Sequence, residues 1–98
     1  MTHVPIATDH PIVSAELLLR LGYVAGALTV ASFLPQVIRA WRTRRTRDLS
    51  LGSFALLMTA GSLWIVYGAL SRDWPVVATN SGMVALTGAL AIAKMRYK

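Results

Sequence analysis

Ser32-Phe33-Leu34-Pro35-Gln36-Val37-Ile38 sets a proline and a glutamine inside an apolar run long enough to cross a membrane. Proline within a helix removes one backbone hydrogen bond and crowds the carbonyl four residues back. Lipid offers that carbonyl no substitute partner, and the Gln36 side chain is costly facing hydrocarbon. The pair therefore marks a helix that bends and turns this stretch toward protein or water. Two readings follow: a static kink with the glutamine bonded to a neighbouring helix, or a moving part of a conduction pathway.

Outward from that stretch, the charges are segregated. Hydrophobic residues make up 55% of the 98-residue chain and charged residues 14%, against about 25% charged in a soluble domain. Charge-free runs of 18, 23 and 20 residues lie between Arg20 and Arg39, Asp48 and Arg72, and Asp73 and Lys94. A hydrocarbon layer of about 30 Å takes about 20 helical residues to cross. The expectation is an all-α membrane protein of one unit: a tail over residues 1–16, helix 1 over about 17–40, helix 2 over about 50–71, helix 3 over about 74–93, and a second tail over 94–98. The tail 1–16 carries His3, Asp9 and His10 and has no basic start followed by an apolar stretch, so no cleavable signal peptide is expected.

The net charge of +6 is a matter of placement. Residues 39–48 hold five arginines and one aspartate, and residues 94–98 add three cations. Short basic loops stay on the cytoplasmic side. Three spans put this loop and the C-terminus together, which predicts N-terminus outside and C-terminus in the cytoplasm. Nucleic acid is not an expected partner. Trp41 fits an aromatic interface anchor beside the loop. The absence of cysteine excludes disulfides and thiolate chemistry.

Two side chains stand out within the spans. Gly61, Trp64, Tyr67 and Gly68 share a helical face, which suggests open space above and below the Trp64 ring, or else a tryptophan packed over glycines at a helix contact. Trp64 lies seven residues before Ser71, about 10 Å inside the boundary, and Asn80 lies six residues beyond Trp74, about 9 Å inside. The short Ser71-Arg72-Asp73 turn makes helices 2 and 3 an antiparallel hairpin, so the two residues reach nearly one depth. Asn80 either bonds another helix or faces a cavity. A flat aromatic face with an amide at the same level suits a sugar, whose C–H face stacks on the ring while the amide bonds its hydroxyls. Gly22 with Gly26, and Ala25 with Thr29, form small-xxx-small patterns that permit close helix approach. No nucleophile–base set, carboxylate pair, metal-ligand spacing or phosphate-binding glycine loop appears, so neither an enzyme nor a cofactor is expected.

With these residues assembled, the chain resembles a known family over about Leu17 to Ala93. Pro35-Gln36 resembles the PQ-loop signature. Thr43–Ser50, Ser62–Gly68 and Trp74–Asn80 resemble the corresponding segments of the SWEET and SemiSWEET sugar transporters. The resemblance implies a triple-helix bundle with helix 3 between helices 1 and 2, and a parallel homodimer around a central cavity. It implies passive transport of a mono- or disaccharide by alternating access in the bacterial inner membrane. Substrate-binding roles fall on Trp64 and Asn80, hinge roles on Pro35 and Gln36, and outer-gate positions on Tyr67 and Asp73. Arg72 stands beside Asp73, offset from the family's usual gate arginine. The competing readings are a PQ-loop carrier of another solute such as an amino acid, which lacks its usual intramembrane carboxylate here, and a small structural or regulatory membrane protein.

Overall fold

Ser14 opens the first helix in the computed structural model, which describes residues 14–98; His3, Asp9, His10 and the rest of the N-terminal tail lie outside the described residues. The Ser14 hydroxyl accepts from the Leu17 amide, and α1 then runs unbroken through Pro35 over Ala15–Thr43. The Ser50 hydroxyl accepts from the Ser53 amide and starts α2, Leu51–Ser71. Asp73 caps α3, Trp74–Tyr97, with Pro75 in its first turn, where the missing N–H costs nothing. All three helices are long and apolar enough to cross a membrane. α1 and α3 each continue past the sequence-based estimate, to Thr43 and Tyr97. The helical backbone satisfies its own polar groups, so the arginine-bearing end of α1 has no reason to unwind where the charges begin.

α3 is the central element. It packs on both α1 and α2, while no Cα of α1 comes within 8 Å of α2. This is the order the resemblance implied. Glycines set both contacts. A Cβ on Gly22 would stand 2.8 Å from Pro75 Cβ, one on Gly26 would overlap the Thr79 hydroxyl, and one on Gly82 would stand 2.9 Å from Val30 Cγ2. These pairs advance together, so α1 and α3 run parallel. On the other side Gly68 meets Val76 and Val77 while Gly61 meets Val84 and Asn80, an antiparallel register. Gly61 and Gly68 are buried. α3 side chains therefore fill the space at these two glycines, which serve helix approach. The Gly22–Gly26 pattern makes a helix contact, whereas Ala25 and Thr29 are exposed beside it.

The hydrophobic core lies at the end bearing the arginine loop: Val37 and Ala40 of α1, Phe54 of α2, Leu90 and Ala93 of α3. Trp41 joins this core. Its indole N–H donates to the Ala89 carbonyl at 3.2 Å, and its ring meets Tyr97 edge-on with centroids 5.5 Å apart. It is thus a tie between α1 and α3 rather than a free interface anchor. Lys94 Nζ donates to the Thr46 carbonyl at 2.8 Å, fixing the loop to α3.

Gly26→Val should displace Thr79 and lower stability by about 1–3 kcal/mol, the usual cost of overpacking. Gly88→Ala, where an added Cβ meets nothing within 4 Å, should stay within about 1 kcal/mol of wild type. Thermal unfolding of the two variants in one detergent checks both.

Candidate functional site: an open polar face across three helices

Because α3 separates α1 from α2, the unit is a flat layer of helices with Cα extents of 52 × 24 × 15 Å. Counting round each helix from the residues that touch α3, or on α3 from those touching its neighbours, one broad face collects most of the polar side chains of the spans. α1 brings Thr29, Ser32 and Gln36, α2 brings Trp64, Tyr67 and Ser71, and α3 brings Asn80. The opposite face of α3 carries the exposed Trp74, Ala78, Ala85 and Ile92.

A groove of about 670 Å³ runs along this face between α1 and the first half of α3. Ala25, Gly26 and Thr29 form one wall, Val76, Thr79 and Asn80 the other, and Ser71, Arg72 and Asp73 lie at its mouth. Asn80 is partly buried, and its Nδ2 donates to the Val76 carbonyl of its own helix at 2.9 Å. The amide thus turns back on α3 instead of bonding across to another helix. Its oxygen and second N–H retain bonding capacity. Thr29 likewise donates to the Ala25 carbonyl at 2.9 Å, which leaves its oxygen free to accept.

Trp64 and Tyr67 stand beside the groove rather than in its wall. The α2–α3 register set by Gly61 and Gly68 brings Trp64 level with Asn80. Trp64 is 52% exposed and Tyr67 56% exposed, and their rings meet edge-on with centroids 5.5 Å apart and planes at 88°. A half-exposed aromatic pair at mid-helix presents a stacking surface to whatever lies across from it.

At the mouth, Arg72 adopts the left-handed conformation with φ 58° and ψ 37° and closes α2. The Asp73 carboxylate accepts from the Val76 amide at 3.4 Å. The two side chains are not paired with each other: among the described residues the ion pair formed is Glu16 with Arg20. Pro35 faces sideways, where it lines a separate cavity of about 630 Å³ with Ala31, Leu34 and Ile38. Ala31, whose carbonyl loses its helical donor to the proline, lines the same cavity. Gln36 lies toward the arginine loop, in a third cavity. Sequence reasoning thus singled out both the aromatic and the amide on this face but missed Thr29, which reads in the sequence as a small packing residue and shows its role only once α1 is set against α3.

Comparison with known proteins places this arrangement. The PQ loop repeat family model matches residues 19–77. The sugar transporter SemiSWEET of Bradyrhizobium diazoefficiens is 38% identical over 77 residues, which cover 79% of this chain and 90% of that protein. The sugar transporter SemiSWEET of Leptospira biflexa is 45% identical over 60 residues, 61% of this chain and 71% of that one. A crystal structure described as a bacterial homologue of SWEET transporters superposes with a TM-score of 0.80 at 32% identity, covering 84% of this chain and 99% of the other. With the Pro-Gln pair on α1, α3 seated between its neighbours, and this agreement in sequence and structure, the chain belongs to the PQ-loop repeat family, in its SemiSWEET branch.

Proposed function

We propose that this protein is a passive sugar transporter that works as a parallel pair of three-helix units, with the polar face of each forming half of a central cavity. The observation that carries the reading is that face itself. Trp64 is half exposed at the level of Asn80, in a helix otherwise apolar enough to lie in a membrane. A second copy, related by an axis along the membrane normal, would set two indoles and two amides around one space. The relatives named as sugar transporters support a saccharide as the solute. An uncharged solute fits the composition of the face, where Tyr67 is the titratable side chain at that depth among the described residues. The arginine loop and α3's basic end favour the cytoplasm as their side, so the groove mouth with Arg72 and Asp73 faces outward as an outer gate together with Tyr67.

In this reading the solute stacks on Trp64 and bonds Asn80. Access alternates as the two units rock about the cavity, with α1 bending at Pro35-Gln36. The helix can bend there because the proline has already removed the hydrogen bond that would resist it. The packing of the described residues favours this pivot. Below Pro35, α1 is tied to α3 through Val37, Ala40 and Trp41; above it, the contacts are glycine-to-α3 approaches beside an open groove.

Uptake of labelled glucose and sucrose into liposomes holding only this protein tests the reading, and a parallel set with amino acids separates it from another PQ-loop carrier. Trp64→Ala and Asn80→Ala should each cut uptake substantially while folding and dimer yield persist. Losing one amide–hydroxyl bond costs about 1–3 kcal/mol, a factor of roughly 5 to 150. Ile92→Ala, on the opposite face of α3, is the control and should transport as wild type. Normal uptake by both folded site variants would remove the cavity from this face.

Pro35→Ala should restore the missing α1 hydrogen bond, keep or raise thermal stability, and slow uptake. Unchanged uptake in the folded variant would reduce the proline to a static kink.

A further inference from the structure

We infer that the end of the molecule bearing the arginine loop holds a phosphate-binding site, built by the loop and the last turns of α1 and α3. A cavity of about 810 Å³ lies there, lined by Arg39, Arg44, Arg45, Arg47, Lys94 and Lys98. Asp48 is the single acidic residue in its wall. None of these cations is in an ion pair, since the salt bridge formed among the described residues lies at the far end, between Glu16 and Arg20. Positive-inside topology asks for basic residues on this side, but not for six of them around one concavity where they repel one another.

The fold brings these charges together by a specific contact and does not merely leave them exposed. Lys94 Nζ donates to the Thr46 carbonyl across 48 residues of sequence, which draws the loop over the end of α3. Tyr97 supports the arrangement, with the Arg44 guanidinium 5.4 Å from its ring centre. Thr46 is 2% exposed, and its hydroxyl is buried without a hydrogen-bond partner. A buried hydroxyl left unpaired is a cost that native structures usually avoid, and it stands in the wall of a cavity ringed by cations. A phosphate group answers both features. Its oxygens take the forked N–H pairs of arginine and accept from a threonine hydroxyl, and its charge relieves the repulsion. The side chains of Arg45 and Arg47 form no hydrogen bond or ion pair among the described residues, so they are available to such a ligand. The chemistry is shared by the headgroup of an anionic phospholipid and by a free phosphate. Gln36 lines the same cavity, next to Pro35, so an occupant would bear on α1 just below the proline and on α3 at once. This inference does not depend on which solute is carried.

The full chain in nanodiscs of phosphatidylcholine with rising fractions of phosphatidylglycerol, read by thermal midpoint, tests the site. A second arm adds inorganic phosphate to discs of phosphatidylcholine alone. The wild-type midpoint should rise and saturate in at least one arm. A rise with lipid only identifies the headgroup as the ligand, and a rise with inorganic phosphate shows that the free anion suffices; both support the site. The Arg45→Gln/Arg47→Gln variant should need on the order of 30-fold more ligand for half the rise, from about a fivefold loss for each cation near a membrane surface compounded over two. Arg20→Gln, at the other end, should behave as wild type. Should the double variant not fold in phosphatidylcholine discs, Lys98→Gln takes its place, with a smaller shift in the same direction. No rise in either arm for the wild type, or equal half-saturation for the wild type and the cavity variant, would overturn the proposal.

Discussion

The close approach of α3 to a helix on each side is the contact on which the other features depend. Lipid supplies little hydrophobic drive for helices to associate, so van der Waals contact between closely fitted surfaces has to hold them. Gly22 and Gly26 let α1 reach Pro75 and Thr79, and Gly61 and Gly68 let α2 reach the valines of α3. With α3 held from both sides, α1 and α2 are kept apart and the unit is a layer rather than a closed bundle. A layer has two faces. One carries Trp74, Ala85 and Ile92; the other carries Thr29, Gln36, Trp64, Tyr67 and Asn80. The polar face and the open groove both follow from that separation.

The two ends of the layer are built differently. Toward the arginine loop, Phe54, Leu90 and Ala93 close a core, and Trp41, Lys94 and Tyr97 bind α1 and the loop to α3. Toward the other end the helices meet through glycines and a buried proline, and the groove remains open. Pro35 lies between these regimes. The chain is thus closely packed on one side of the proline and sparsely tied on the other.

Much of this was legible in the sequence for physical reasons. A bilayer demands about 20 uncharged residues per crossing, so Arg20, Arg39, Asp48, Arg72, Asp73 and Lys94 marked the spans. Depth is additive along a helix, so Trp64 and Asn80 could be set at one level before any coordinates. Periodicity also put Gly61 and Gly68 near Trp64, but it cannot say what lies opposite a face. α3 fills the space at these glycines with Val76, Val77 and Val84, so of the two readings open in the sequence the helix contact is the one that Gly61 and Gly68 make. The same limit hid the groove role of Thr29 and made Trp41 look like an interface anchor, since its bond to Ala89 spans 48 residues of sequence. The cavity at the arginine loop was legible as charge alone; that Lys94 folds the loop over α3 and buries Thr46 is a long-range contact, which local sequence does not encode.

The account stands on the polar face being covered by the same face of a second copy. The chain has no cysteine, so a single introduced thiol reports on one position without background. Crosslinking in lipid bilayers with a short bifunctional thiol reagent should join two copies carrying Tyr67→Cys, on the polar face, and leave Ala85→Cys, on the opposite face, as monomer. Crosslinking at Ala85→Cys with none at Tyr67→Cys would put the second copy on the wrong side of α3 and contradict the account.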